Sequence, residues 1–238
     1  MTIRPKAIIL DYTGVVTVPI PFGAGSSAEP DAGIANDRGA IDDGVPPSSP
    51  SMHALRTLMA HELNNADPNG LWNRLERGEA PLAELHDMVE SIVPGAGVFF
   101  SGDGPASLMA SIAVRLDVID RMRAWKSAGV ALALLTNNVA EWRPLWTANL
   151  VSAGGYELFD VVIDSSAVGM RKPEPAVYRH TVNELSSARG LNLSLADCLF
   201  VDDFAQNVRG AIDVGLPALL ATNDDAHWTT IDALFRSA

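Results

Sequence analysis

Five short apolar runs constrain this chain more than any other feature: Ala7 to Leu10, Val130 to Leu135, Val161 to Ile163, Cys198 to Val201 and Ala218 to Leu220. Each is bounded by polar or turn residues and lacks an alternating polar side, the pattern of strands buried on both faces of a parallel sheet. Between the later runs the apolar residues change to helical spacing. Val118, Ile119, Met122 and Trp125 lead to Gly129, and Val177, Val182 and Leu185 lead to Gly190. Parallel strands need crossover connections, so this alternation predicts a doubly wound α/β core of Rossmann-like type.

The interval between the first run and the second differs in kind. It holds no convincing strand, whereas Leu55, Leu58, Met59 and Leu63, and then Leu82, Leu85, Val89 and Ile92, fall on helical faces. Residues 17–115 are therefore read as a mainly helical insert, with 1–16 and 116–238 forming the core. Within the insert, residues 23–51 contain five Gly, five Ser, five Ala and four Pro, with only Ile34, Ile41 and Val45 as large apolar residues. That composition predicts a flexible surface segment, either a tolerated insertion or a lid over a site.

Composition narrows the partners. The 238 residues are 47% hydrophobic and 19% charged, enough for a substantial core, and the net charge of -12 would repel a phosphate backbone or an anionic membrane. The longest basic run is Arg171-Lys172. No nucleic-acid or membrane partner is expected. The apolar run Ala7 to Leu10 is too short for a secretory leader or a membrane span. The single cysteine, Cys198, opens an apolar run and reads as a buried core thiol in a reducing, cytoplasmic setting. No feature demands one oligomeric state, so a monomer or a homodimer is expected.

Ligands of open parallel sheets bind outside the carboxyl ends of the strands. The first run is followed by Asp11-Tyr12-Thr13-Gly14, the second by Thr136-Asn137-Asn138, the third by Arg171-Lys172-Pro173 and the fourth by Asp202-Asp203, with Asn207 beyond. Three carboxylates, a hydroxyl and an ammonium are thus expected at one sheet edge. An acid at one strand end is commonplace; this order is not.

With these motifs the chain resembles the haloacid dehalogenase superfamily, in the branch with a helical cap inserted after the first strand. The matching segments are Ile8 to Val16, Leu134 to Asn138, Gly169 to Tyr178, and Leu199 to Asp203 with Asn207, Val208, Gly210 and Ala211. The likeness is closest to the amino-terminal phosphatase domain of soluble epoxide hydrolases. It implies a phosphoric monoester hydrolase in which Asp11 attacks the phosphoryl group and forms an aspartyl-phosphate. It also implies a Mg²⁺ ion held by Asp11, Asp203 and the backbone carbonyl of Thr13. Thr136 and Asn137, with Lys172, would bind the phosphoryl oxygens of a small phosphorylated substrate. Asp202 would orient Lys172 or a metal-bound water.

Phe22, Trp72 and Trp142 are candidates for substrate contact. Trp72 lies beside Leu71 and Leu75, and Trp142 shares a helix face with Trp146, so ordinary packing is the favoured reading of both tryptophans. The acidity is concentrated in the insert, which holds 5 Lys/Arg against 13 Asp/Glu, while the rest of the chain holds 12 against 16. Such an insert disfavours polyphosphates and favours small monophosphates.

One position departs from the family pattern. Most phosphatases of this superfamily carry a second aspartate two residues after the nucleophile, as acid and base; here Thr13 stands there. A hydroxyl cannot supply that proton near neutral pH, which removes a contribution of roughly 10² to 10⁴ in rate. The departure leaves open a slow phosphatase or phosphotransferase, a different source of the proton, or a protein that binds its ligand without hydrolysis. Dehalogenation is a further alternative, but the dehalogenases carry an aromatic residue at the Thr13 position, and Tyr12 is one residue too early. Thr13→Asp is expected to raise the turnover of a generic phosphate ester. An unchanged or lower rate in the folded variant would mean that Thr13 serves different chemistry.

Overall fold

β1 (Ala7–Leu10) is the centre of a five-stranded parallel sheet of order β3-β2-β1-β4-β5. The structure, a computed structural model, describes residues 4–18, 67–104, 112–222 and 224–236, with residues 54, 57–59, 61, 62 and 106. The expected mobility of residues 23–51 and the candidate Phe22 lie outside the described residues. After β1 come α1 (Leu71–Glu76) and α2 (Leu82–Ile92), in the insert. The sheet then continues through α3 (Leu116–Ser127), β2 (Ala131–Thr136), α4 (Arg143–Ser152) and β3 (Val161–Asp164). It finishes with α5 (Ser165–Val168), α6 (Pro175–Arg189), β4 (Cys198–Asp202), α7 (Ala205–Asp213), β5 (Ala218–Leu220) and α8 (Ala226–Arg236).

The alternation of side chains along each strand divides the core into two apolar layers. Ile8, Leu10, Leu132, Leu134, Leu199 and Val201 face α3, α4 and α8, meeting Val118, Met122, Trp146, Leu150, Trp228 and Ile231. On the opposite face, Ile9, Ala133, Leu135 and Phe200 meet Val177, Tyr178, Val182 and Leu185 of α6 and Ala211 of α7. Burying each of the larger side chains contributes about 1.5–3 kcal/mol, so the sheet is anchored from both sides. Helix ends follow from local sequence. Pro175 supplies the first residue of α6, where no amide bond is lost, and Gly190 ends it in the left-handed conformation.

β2, β3 and β4 each extend one residue past their apolar runs, to Thr136, Asp164 and Asp202. Backbone pairing continues through these polar residues because the ladder does not depend on the side chain, and Thr136 pairs with Asp164 in register. The site residues therefore begin inside the sheet.

The segments leading into and out of the insert run side by side. Thr17 and Val114 form an antiparallel bridge, the Val18 N–H donates to Ala113 O at 3.0 Å, and the Arg115 N–H donates to Val16 O at 2.9 Å. Divisions at residues 17 and 115 remain our proposal for the insert's limits. Its apolar residues are not a separate core: Trp72, Leu75, Leu85 and Val89 join the cluster that includes Tyr12, Val16 and the α3 face. Ile92 departs from the expected helical face. It closes α2 and is 57% exposed, since only Leu82, Leu85 and Val89 of that helix are buried.

Candidate active site

The site lies at the carboxyl end of β1, with β2 on one side and β4 on the other. This is where successive crossovers part to opposite halves of the sheet, leaving a crevice. Leu10 pairs with Val201, and the Asp11 N–H donates to Val201 O at 2.9 Å, so Asp11 and Asp202 leave the sheet side by side. The chain then turns sharply. Thr13 is extended, Gly14 is left-handed at φ 76°, and the Thr17 N–H returns to Tyr12 O at 2.9 Å.

Tyr12 anchors this turn from beneath. Its ring packs against Trp146 with centroids 5.4 Å apart, while its hydroxyl accepts from Asn149 Nδ2 at 3.3 Å and donates to Trp146 O at 3.4 Å. With its side chain spent on the core, Tyr12 leaves Asp11 and Thr13 at the crevice.

Lys172 is the pivot. It is 1% exposed, and its ammonium lies 2.7 Å from Asp11 Oδ1 and 2.7 Å from Asp202 Oδ2, with a third hydrogen bond to Leu135 O at 2.9 Å. All three ammonium protons therefore have acceptors. Burial alone would push the Lys172 pKa down, but the Asp11 and Asp202 charges outweigh it and hold the ammonium above its usual value. Asp202 is itself saturated. Its Oδ1 accepts from the Phe204 N–H at 2.8 Å and from Asn207 Nδ2 at 3.0 Å.

Asn137 fixes the backbone of Lys172. Its Oδ1 accepts from the Lys172 N–H at 2.8 Å, and its Nδ2 donates to Lys172 O at 2.9 Å. The Asn137 carboxamide is thus occupied with the Lys172 backbone. Thr136, at the end of β2, is buried, and its hydroxyl is 3.5 Å from Asn137 O.

Asp203 stands apart from Asp202 in one respect: its Oδ1 is buried and has no hydrogen-bond partner among the described residues. Asp11, Asp202 and Asp203 offer oxygens within 4.8 Å of one another. Burial pushes the Asp11 carboxyl up to about 7, with Lys172 opposing the rise and Asp202 adding to it. Burial, then repulsion from Asp11 and Asp202, pushes Asp203 up to about 8. Three carboxylates share one ammonium, so near neutral pH the cluster retains protons that a divalent cation would displace. Hard oxygen donors and an unpartnered carboxylate oxygen fit a Mg²⁺ ion.

The candidate tryptophans are packed away. Trp72 and Trp142 are buried with ring centroids 6.1 Å apart, joining insert to core, and the Trp72 indole donates to Glu76 Oε1 at 2.8 Å. Cys198 is buried, and burial pushes its thiol up to about 12, which removes it as a nucleophile. Sequence reasoning missed Glu76. Its spacing of four from Trp72 was a local signal, but its bond from Arg171 Nε at 2.6 Å spans 95 positions and needed the fold.

The haloacid dehalogenase-like hydrolase pattern matches residues 5–215, and the chain belongs to that family. It is 36% identical over 94 residues to "Phosphatase MT3486" of Mycobacterium tuberculosis (strain CDC 1551 / Oshkosh), covering 39% of this chain and 39% of that protein. It is 29% identical over 161 residues to "Sesquiterpene phosphatase astK" of Aspergillus oryzae, covering 64% of this chain and 72% of that protein. A third match, 27% identical over 115 residues, is to "Bifunctional epoxide hydrolase 2" of Rattus norvegicus, covering 47% of this chain and 19% of that protein. The chain thus spans less than half of the mycobacterial and rat proteins. Among solved structures, a mutant of the HAD family enzyme bt-2542 from Bacteroides thetaiotaomicron, in complex with magnesium and inorganic phosphate, superposes with a TM-score of 0.60. At 15% identity over 94% of this chain and 98% of that one, this is a likeness of fold.

Gly14 makes the close approach of Asp203 feasible. A Cβ on Gly14 would lie 2.1 Å from Asp203 Oδ2, and its φ is one that side-chain-bearing residues rarely adopt. Gly14→Ala is expected to lower the unfolding free energy by at least about 1–2 kcal/mol, the cost of the left-handed conformation alone. Urea denaturation checks this, and an unchanged midpoint would mean that Gly14 is not held in the left-handed conformation.

Proposed function

We propose that the protein is a Mg²⁺-dependent hydrolase of a small phosphorylated metabolite, acting through an aspartyl-phosphate at Asp11. The observation that carries this reading is the buried Lys172 ammonium, 2.7 Å from Asp11, in a site where Asp203 Oδ1 has no hydrogen-bond partner among the described residues. The phosphatase names of the mycobacterial and Aspergillus relatives support the same reaction class. Asp11, Asp203 and the Thr13 carbonyl would hold the ion, which when bound supplies positive charge against the phosphoryl oxygens.

The chain's own residues carry the remaining steps. Asp11 forms a carboxylate oxygen–phosphorus bond as the ester oxygen–phosphorus bond breaks. Lys172, the Thr136 hydroxyl and the Asn137 N–H offset the charge on the phosphoryl oxygens. Water then attacks phosphorus, the acyl-phosphate bond breaks, and Asp11 and inorganic phosphate are released. Asp202 keeps Lys172 charged and aimed.

Thr13 offers a hydroxyl where a carboxylic acid would protonate the leaving oxygen. That proton comes from the substrate or from solvent, so esters with good leaving groups should react fastest. The acidic insert, with 13 Asp/Glu against 5 Lys/Arg, favours a monophosphate over a polyphosphate. In an assay of p-nitrophenyl phosphate hydrolysis with Mg²⁺, Asp11→Asn is expected to reduce activity to the uncatalysed background while leaving the thermal midpoint of a folded protein. Full activity in that variant would overturn the assignment.

A further inference from the structure

A carboxylate from the insert is built into the support of Lys172. Glu76, the last residue of α1, is 6% exposed, and its partner Arg171 is 8% exposed. Glu76 Oε1 accepts from the Trp72 indole at 2.8 Å. Its Oε2 accepts from Arg171 Nε at 2.6 Å and from Asn137 Nδ2 at 3.1 Å. Asn137 is the residue whose carboxamide grips Lys172 through both its N–H and its C=O.

Two physical consequences follow. Arg171 and Lys172 are consecutive cations, both buried, and Glu76 neutralises the first. Without that carboxylate, the Arg171 guanidinium would be a buried charge with no ion-pair partner among the described residues, driven toward water and pulling the adjoining Lys172 backbone with it. Glu76 also sets the Asn137 amide. An acceptor-only carboxylate requires the Nδ2 side of the amide, which is the orientation that leaves Oδ1 for the Lys172 N–H.

The end of α1 is held closely against the core at this point. Arg77 Nη1 donates to Glu174 Oε1 at 3.1 Å. A Cβ on Gly78, at φ 68°, would lie 2.4 Å from Ser166 O in α5. Leu82 N–H donates to Glu141 Oε1 at 2.9 Å, ahead of α4.

We propose that Glu76 is a positioning residue for Lys172, so that the ammonium is correctly placed only while α1 of the insert is docked. The inference rests on the phosphohydrolase reading solely for what Lys172 is placed to do. The placement has its own readout. The chain holds three lysines, Lys6, Lys126 and Lys172, and the Lys6 side chain is 62% exposed where Lys172 is enclosed. Limited acetylation followed by peptide mass spectrometry should therefore label Lys6 and spare Lys172 in the native protein.

In Glu76→Gln, which keeps the side-chain volume, and in Glu76→Ala, Lys172 is expected to label on the order of tenfold faster, with Lys6 unchanged. In the same variants kcat for p-nitrophenyl phosphate should fall on the order of 10- to 100-fold, more than KM rises, because a displaced ammonium is missed most in the transition state. Arg74→Ala, which removes a half-buried α1 side chain paired with Glu84, should change neither quantity. Unchanged Lys172 labelling in a folded Glu76→Gln overturns the proposal, as does faster labelling with unchanged kcat. Equal acceleration at Lys6 and Lys172 marks general unfolding and overturns it too. If the native protein hydrolyses no phosphate ester while Lys172 labelling still rises selectively, the placement by Glu76 stands and the phosphohydrolase reading falls.

Discussion

Lys172 carries a charge in a place almost without water, and three of the protein's elements are arranged to keep it there. β1 delivers Asp11, β4 delivers Asp202, and the end of β2 delivers the Leu135 carbonyl, each within 2.9 Å of the ammonium. A lone buried ammonium would shed its proton; one set between two carboxylates holds it more firmly than in water. The pairing works in both directions. The same ammonium opposes the effect of burial on Asp11, which would otherwise be driven further from the ionised form a nucleophile requires. Buried ion pairs are weak sources of stability, and apolar residues of similar volume often stabilise a fold as much or more. Chemistry is the stronger reason for its presence.

The second constraint is an excess of negative charge. Asp203 joins Asp11 and Asp202 within 4.8 Å, and its buried Oδ1 lacks a partner among the described residues. Gly14 permits this crowding, because any Cβ there would collide with the Asp203 carboxylate. The turn after β1 thus leaves room for an acid whose buried Oδ1 has no hydrogen-bond partner among the described residues. A divalent cation, as proposed, would supply the charge such an arrangement lacks.

Much of the fold was legible because buried parallel strands are continuous apolar runs. β1 and β5 coincide with the runs Ala7 to Leu10 and Ala218 to Leu220; β2 begins one residue late, at Ala131, and pairing extends β2, β3 and β4 onto Thr136, Asp164 and Asp202. The gathering of Asp11, Asp202 and Asp203 was legible for a related reason: residues at or just past parallel strand ends must share one edge, whereas Lys172 comes to that edge from the loop beyond α5. Tertiary contacts were not legible. The exposure of Ile92 depends on what α2 meets, and the Trp72–Trp142 contact depends on how the insert settles on the core. Glu76 is the clearest case, since a lone acid between Leu75 and Arg77 looks like an ordinary solvated charge until Arg171 is brought to it across the fold.

The central claim is covalent: Asp11 accepts the phosphoryl group. The most direct test incubates the protein with Mg²⁺ and a phosphate ester, quenches in acid, reduces with borohydride and maps the peptides by mass spectrometry. An aspartyl-phosphate is reduced to homoserine, so the account predicts homoserine at position 11 and nowhere else. Steady turnover with an unmodified Asp11, or with the modification at another carboxylate, would contradict it.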